Sequence, residues 1–258
     1  MIKFEEYANR YRNIKMERRD GILQMTVHTD GNSLRWTFDV HEELPEAFWF
    51  VGQDRDNKVI ILTGTGDEFS GPAPTPDTPT WPARPSAQFW DKIYWDAKAL
   101  LNNLLSIEVP MIGAVNGPAL RHCELPLLCD IVLAAEEAAF QDSGHFMNAV
   151  VPGDGMHIVF PLLLGANRGR YFLLTGQKLN AKEAKDLGLV SEVLPRDKLL
   201  ARAWEHAENL AKLPLLHLRY SRLVLVEDLK RRMQDLLAFG LSLEGMALME
   251  RGLPEKTS

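Results

Sequence analysis

Two histidines and two acidic residues in this chain have side chains suited to acid–base chemistry. They are His122, His145, Asp154 and Glu244. An imidazole titrates near pH 6.5, so it can take a proton from water at neutral pH, and a carboxylate can fix its tautomer. Taken singly, each residue also has a structural explanation, as a helix cap, a loop histidine, a turn residue between glycines or a solvated helix residue.

A metal site is the main competing use of the same side chains. The imidazoles of His122, His145 and His157 could bind Zn²⁺ or Fe²⁺ together with Asp154. However, no two of these histidines have the His-x-x-x-His spacing that places two ligands on one helix face. We therefore expect no metal ion.

Composition favours one α/β core without a nucleic-acid or membrane partner. The chain has 258 residues, 46% of them hydrophobic, enough to bury one substantial core. Its net charge is −6 and its basic residues are spread out, so no nucleic-acid surface is indicated. No apolar run approaches the ~18 residues of a membrane span and no signal-peptide pattern opens the chain, so we expect a cytoplasmic protein. Cys123 and Cys129 should be reduced.

Strand and helix patterns alternate along the first part of the chain. Residues 13–18 and 22–27 are predicted to form a hairpin through Asp20-Gly21. Continuous apolar runs predict strands covered on both faces, and helical spacing of apolar residues predicts helices between them, which indicates a largely parallel sheet. The predicted strands are 58–63, 111–115 and 130–134, and the predicted helices are 40–51, 88–105, 168–174, 181–187, 199–212, 214–226 and 228–249.

A proline-rich segment interrupts this pattern. Residues 71–85, GPAPTPDTPTWPARP, contain six prolines, too many for a helix or a central strand. One interpretation is a disordered surface loop. The other is a stiffened lid whose Trp81 closes over an apolar substrate, since long loops inside compact domains are often active-site elements.

Several motifs resemble those of the crotonase (enoyl-CoA hydratase/isomerase) superfamily over most of the chain. They are ILTGTGDEFSG at 61–71, PMIGAVNGPAL and CELPLLCDIVLAAEEAAF between 110 and 140, VPGDG at 151–155, and NRGRYFLLTGQKLNAKEAKDLGLVSEVLP at 167–195. The resemblance implies an α/β crotonase (ClpP-like) fold with a repeated ββα spiral core over residues 1–195. It also implies a C-terminal helical region over residues 196–258 that packs into homotrimers, often paired as hexamers.

The part that binds an acyl-CoA thioester in that superfamily is altered in this chain. A Gly-Gly-Gly run usually precedes the CEL step and offers a backbone N–H to the thioester oxygen, but here Arg121-His122 takes its place. The first catalytic glutamate of the hydratases corresponds to Glu124, whereas the second corresponds to His145. The other N–H that holds the thioester oxygen in the superfamily would come from the backbone near Ser70-Gly71. The next residue here is Pro72, which has no N–H. We therefore expect a structural role for Glu124 and do not favour hydratase activity.

A smaller branch of the superfamily is more similar, namely the β-diketone hydrolases of the 6-oxocamphor hydrolase type. The shared features are the four acid–base residues, LLNNLLSIEVP at 100–110 and HTDGNSLRWT at 28–37. This resemblance implies hydrolytic (retro-Claisen) cleavage of a carbon–carbon bond in a small, apolar, cyclic β-diketone, without CoA or another cofactor. It also implies that Trp36 and His41 line the substrate pocket.

In that reaction His145 is the predicted base for water, with Asp154 or Glu244 as its carboxylate partner. His122, just before a predicted helix, would donate a hydrogen bond to the enolate oxygen. Asp154 would orient His122 or deliver the proton to carbon. Two alternatives stay open: an acyl-CoA hydratase or isomerase that uses Glu124, and a non-catalytic homologue that only binds a ligand.

Overall fold

The structure is a computed structural model that describes residues 1–73 and 85–251. Trp81 and most of the proline-rich segment lie outside these residues, so both interpretations of that segment stay predictions. The strands of the described part are β1 (Ile14–Arg19), β2 (Ile22–Val27), β3 (Val59–Gly64), β4 (Met111–Val115), β5 (Ile131–Ala135), β6 (Ala139–Phe140), β7 (Leu179–Asn180) and β8 (Glu192–Leu194).

Helices follow most of these strands along the chain. They are α1 (Phe38–Gln53), α2 (Ala87–Ser106), α3 (Glu124–Leu127), α4 (Met156–Leu164), α5 (Ala166–Thr175), α6 (Ala181–Asp186), α7 (Arg196–Ala211) and α8 (Leu215–Arg251). Within residues 1–73 and 85–251, no helix combines the length and apolar character needed to cross a bilayer.

Six strands form one sheet in the order β1-β2-β3-β4-β5-β8. β1 is antiparallel to β2, and every other neighbouring pair is parallel. The hairpin turns at Asp20 and Gly21, whose φ values of 54° and 82° suit the residue types that tolerate left-handed backbone. β6 and β7 form a separate antiparallel pair. The parallel core predicted from the apolar runs is therefore confirmed.

Apolar side chains alternate between the two faces of the sheet, as strand geometry requires. In β3, Ile60 and Leu62 belong to the larger core, which also contains the buried faces of α1 and α2. Val59 and Ile61 belong to the smaller core, which α7 closes with Leu199 and two alanines. The predicted division at residue 195 assigns α7 to the C-terminal region, although its buried face packs against the sheet. The division itself stays a prediction.

The predicted interruption between residues 226 and 228 is wrong, because α8 runs unbroken through it. Two ion pairs at i,i+4 spacing begin at this point, Arg231 with Glu227 at 2.9 Å and Arg232 with Asp228 at 2.8 Å. Such pairs support a helix across a charged stretch that patterning alone marks as a boundary. Helix α4 is not predicted either, since MHIVFPLLL is apolar on all sides and contains Pro161.

Glycines allow α8 to approach the turn before α4 very closely. A Cβ on Gly240 would lie 2.2 Å from the Cε1 atom of His157 and 2.4 Å from the carbonyl oxygen of Gly153. A Cβ on Gly153 would in turn lie 2.2 Å from the carbonyl oxygen of Gly240. This contact places Glu244, one helical turn further along α8, against the turn that carries Asp154.

Gly240→Ala should separate α8 from that turn and destabilise the protein. Alanine favours a helix over glycine by about 1 kcal/mol, but overpacking against a backbone oxygen that cannot move independently costs about 1–3 kcal/mol. We expect a net loss in the free energy of unfolding, measured by urea denaturation. Ser242→Ala is the matched control on the same helix, because Ser242 is exposed. An unchanged or higher midpoint for Gly240→Ala would contradict the close contact.

Candidate active site

The turn between β4 and α3 projects an imidazole from a backbone position that suits glycine. His122 has φ 46°, in the left-handed region that costs a non-glycine residue about 1–2 kcal/mol. The backbone N–H of Arg121 donates to the carbonyl of Ser70 at 3.1 Å, and the Ser70 hydroxyl donates to the carbonyl of Arg121 at 2.5 Å. These two hydrogen bonds hold the turn from both sides, in a backbone conformation that suits glycine although the glycine run is absent.

Two further rings hold the His122 side chain. Trp36 stacks on it with ring centroids 3.7 Å apart and an interplanar angle of 27°, and His41 meets it edge-on at 5.1 Å. Burial, followed by the nearby His122, lowers the pKa of His41 to about 3, so His41 is neutral at physiological pH. The Trp36 Nε1 and His41 Nδ1 atoms are buried and have no hydrogen-bond partner among the described residues.

His145 follows β6 and is held between carboxylates on both ring nitrogens. Its Nδ1 lies 2.7 Å from Asp142 Oδ1, and its Nε2 lies 3.2 Å from Asp154 Oδ2 and 3.8 Å from Glu244 Oε1. Burial alone would lower the pKa of His145, but the charge of Asp154 and hydrogen bonds to Asp142 and Asp154 raise it well above its usual value. Before substrate binds, the His145 ring is therefore a positively charged imidazolium at neutral pH.

The pKa values of the two carboxyl groups beside Nε2 are shifted in opposite directions. Burial would raise the pKa of Asp154, but the charge and hydrogen bond of His145 lower it well below its usual range. Burial and the charge of Asp154 instead raise the pKa of Glu244 well above its usual value. An ionised Asp154 beside a protonated Glu244 is a common arrangement for acid–base chemistry, because one group can accept a proton and the other donate one.

Asp154 also connects the two imidazoles. Its Oδ2 atom lies 3.8 Å from Nδ1 of His122 and 3.2 Å from Nε2 of His145. The four residues singled out from the sequence therefore share one buried cluster, and Trp36 and His41 adjoin it through His122. Their individual catalytic and substrate-binding roles stay predictions.

Of the four hypothesised metal ligands, His122, His145 and Asp154 share this cluster, whereas His157 does not join them. The ring nitrogens of His157 lie 3.1 and 3.2 Å from the backbone carbonyls of Pro152 and Leu236. Ligand-type atoms of His145, Asp154 and Glu244 do lie within 4.8 Å of one another, but their ion pairs account for that grouping. We assign no metal ligand.

Sequence reasoning missed Asp142. It proposed Asp154 or Glu244 as the carboxylate that fixes the tautomer of His145, whereas Asp142 takes the Nδ1 atom and the other two face Nε2. Asp142 is only 2% exposed, and its Oδ1 also accepts the backbone N–H of Gly144 at 3.3 Å. A carboxylate three residues before a candidate histidine was the available signal, although only a tight turn brings such a pair together.

The fold and this cluster define a crotonase-type α/β protein with a buried acid–base site. The sequence profile of the enoyl-CoA hydratase/isomerase family matches residues 17–248, so the chain belongs to that family. Among its relatives is the probable enoyl-CoA hydratase echA8 of Mycobacterium bovis, 30% identical over 237 residues that cover 91% of this chain and 87% of the relative. The probable enoyl-CoA hydratase echA12 of the same species is 31% identical over 200 residues, 75% of this chain and 69% of the relative.

Solved structures confirm the predicted resemblance to β-diketone hydrolases. ABDH, a β-diketone hydrolase from the cyanobacterium Anabaena sp. PCC 7120, is 48% identical with a TM-score of 0.91, covering 95% of this chain and 97% of its own. That structure contains (S)-3-oxocyclohexyl acetic acid. An enoyl-CoA hydratase/isomerase from Mycobacterium paratuberculosis is 25% identical with a TM-score of 0.82, at the same coverage. The crotonase fold predicted from the motifs is likewise confirmed.

Asp142→Asn should lower the pKa of His145. The amide keeps a hydrogen-bond acceptor at Nδ1 but removes a negative charge that favours the imidazolium. Because the pKa of His145 is raised in the folded state, its stabilising effect is complete below the unfolded-state pKa and is lost as pH rises through the folded-state pKa. The variant should lose this effect at lower pH than the parent.

The measurement is an NMR titration of the His145 ring, with Asp186→Asn as the control, because Asp186 pairs only with exposed Lys182 in the described structure. A His145 titration that does not move in Asp142→Asn would show that Asp142 does not set its protonation.

Proposed function

We propose that this protein hydrolyses a carbon–carbon bond in a small, cyclic, apolar β-diketone by a retro-Claisen reaction, without CoA. The observation that carries the proposal is the single carboxylate, Asp154, in contact with both imidazoles. Such a link couples one residue suited to activating water with another suited to stabilising an enolate. The 48% identity with ABDH supports the same reaction class.

Water activation is assigned to the coupled group of His145, Asp154 and Glu244. Because both nitrogens of His145 already face carboxylates, the predicted role of a free imidazole base becomes a shared one. A water molecule beside Nε2 attacks the substrate carbonyl carbon and passes a proton to the group. Asp154 is the nearest ionised acceptor, and its Oδ1 has no partner among the described residues.

Cleavage then releases an enolate that needs a hydrogen-bond donor and a proton. When the bond between the attacked carbonyl and the α-carbon breaks, its electron pair moves onto the second carbonyl oxygen. A ring N–H of His122 stabilises this oxyanion in place of the backbone N–H groups that serve thioesters in hydratases. The proton taken from water returns to the α-carbon, so the products are one carboxylic acid and one ketone.

Substrate binding is assigned to the rings beside His122. The Trp36 Nε1–H has no partner within the described residues, so it is available to a substrate carbonyl oxygen, and His41 closes the same side. The compound bound to ABDH carries a ketone and a carboxylic acid on one cyclohexane framework. These are the two groups that water would leave after opening a bicyclic 1,3-diketone, which supports that substrate class for this protein.

We also propose that the chain forms homotrimers, or hexamers made of two such trimers, through the exposed side of α8. Large apolar side chains lie open to solvent there, including Val224 at 76% exposure and Phe239 at 61%. Apolar surface of this extent along one helix is typical of a protein–protein contact.

The wild-type protein should convert the bicyclic 1,3-diketone that corresponds to 3-oxocyclohexyl acetic acid into that keto acid. His145→Ala should lower kcat by about 10²–10⁴-fold, the usual contribution of one positioned acid–base group. Product formation is followed by chromatography. His206→Ala is the matched control, because His206 lies on α7 and pairs with Glu192 of β8 instead of with the site residues.

The acyl-CoA alternative is tested as well, because relatives that are 30–31% identical bear hydratase names. Hydration of an enoyl-CoA ester that depends on Glu124, without turnover of any cyclic 1,3-diketone, would overturn the proposed function. Binding of a diketone without turnover of either substrate class would indicate the non-catalytic homologue.

His122→Ala should reduce kcat by about 10²–10³-fold, since it removes one oxyanion donor. The change should leave folding intact, because the left-handed φ costs alanine about 1–2 kcal/mol and the lost Glu124 contact is a single hydrogen bond. Circular dichroism melting tests the fold and steady-state kinetics test the donor. Wild-type kcat in a folded variant would remove His122 from the reaction.

A further inference from the structure

Glu124, the residue expected to be structural, makes a direct contact with the site. It is fully buried at the start of α3, and its Oε1 lies 2.8 Å from Nδ1 of His122. Its second oxygen, Oε2, has no hydrogen-bond partner in the part of the chain that the structure describes. The carboxyl group is therefore committed to one partner, the imidazole.

The proton count of this pair decides what the other nitrogen of His122 can do. With a neutral Glu124, the carboxyl O–H donates to Nδ1 and the neutral ring carries its hydrogen on Nε2. With an ionised Glu124 and an imidazolium, both nitrogens carry hydrogen. These two states have the same net charge of zero, and Nε2 is a donor in both. Nε2 becomes an acceptor in two other states. A neutral Glu124 with its hydrogen on Oε2 would leave that buried O–H without an acceptor, so it is disfavoured. The remaining state has a net charge of −1, with an ionised Glu124 and the sole ring hydrogen on Nδ1.

The surroundings disfavour the negatively charged state. Ionised Asp154 lies 3.8 Å from Nδ1 of His122, and a second uncompensated negative charge beside it is costly in a buried site. Burial, opposed by the charge of His122, also raises the pKa of Glu124. Two positive charges lie nearby, but each faces another carboxylate: His145 is paired with Asp154, and Arg121 interacts with Asp142. Burial keeps His41 neutral and Cys123 protonated, so neither adds a charge.

We propose that Glu124 and His122 share one proton between Oε1 and Nδ1, so that Nε2 of His122 always carries a hydrogen. Glu124 is then a positioning residue: it fixes His122 as a donor without touching the substrate. Stacking on Trp36 fixes the plane of the ring, and Glu124 fixes which atom of the ring is the donor. The pairing itself is independent of the reaction, whereas its use, donation to an enolate oxygen, rests on the proposed function.

The first test is the protonation of His122 in the ligand-free, full-length protein. With ¹⁵N-labelled histidine, the Nε2 resonance of His122 should be of the proton-bearing type from weakly acidic to weakly alkaline pH. His122→Asn assigns the resonance among the seven histidines. An Nε2 without a proton at neutral pH would overturn the inference, whatever the substrate of the protein.

The second test compares two substitutions of Glu124. Glu124→Leu removes the partner of Nδ1, so the ring should lose its fixed proton pattern and kcat should fall at least about tenfold with little change in KM. Glu124→Gln can donate an amide N–H to Nδ1, so Nε2 should keep its hydrogen and kcat should be largely restored. In the parent, kcat should decline at the pH where the shared proton is lost. Glu124→Gln has no carboxyl proton to lose, so this decline should move to higher pH.

Glu192→Gln is the matched control, because Glu192 also contacts a histidine, His206 at 2.9 Å, away from the site. It should change neither kcat nor the resonances of His122. If Glu124→Leu keeps both the Nε2 proton and wild-type kcat, Glu124 does not position His122. If Glu124→Leu does not fold, the spectrum of the parent and the alkaline shift in Glu124→Gln decide the question. Loss of all diketone turnover in the parent, with an Nε2 proton observed, would reject the proposed function and leave the shared proton intact.

Discussion

The site depends on one buried ion pair, between Asp154 and His145. Separated charges this far from solvent are tolerable only when each has a partner at hydrogen-bond distance, and here the partner atoms lie 3.2 Å apart. The pair requires a loop after β6, a turn before α4 and the close passage of α8, because each supplies or covers one of the charged groups. Together with burial, the charge of Asp154 also drives the neighbouring Glu244 toward its neutral form, so this one contact influences the protonation of both carboxylates beside Nε2.

This chain resembles hydratases in its backbone fold, and it differs from them in the side chains that line the site. The turn before α3 keeps a conformation suited to glycine, yet it carries an imidazole. The resemblance assigns the first hydratase glutamate to Glu124, whose carboxyl group contacts that imidazole, and the second to the position of His145. Under the proposed function, a side-chain donor at this turn takes the place of the backbone N–H groups that hold a thioester oxygen in hydratases, and it would serve a free ketone.

Much of the fold could be predicted from the sequence, because buried parallel strands leave continuous apolar runs and Asp20-Gly21 marks a hairpin. Helix α4 could not, since a segment that is apolar on all sides has no period, and the continuity of α8 depended on ion pairs that patterning does not weigh. For the site, the resemblance grouped His122, His145, Asp154 and Glu244. It could not supply Asp142 or the contact of Glu124, because both depend on the direction of a side chain within a tight turn.

The left-handed backbone at residue 122 has a consequence for how this protein can change. Glycine there would relieve about 1–2 kcal/mol of strain, but it would also remove the ring that stacks on Trp36 and pairs with buried Glu124, whose loss costs about 1–3 kcal/mol. Stability alone therefore sets little preference between glycine and histidine at residue 122, so a screen for thermal robustness would not by itself select for or against the imidazole.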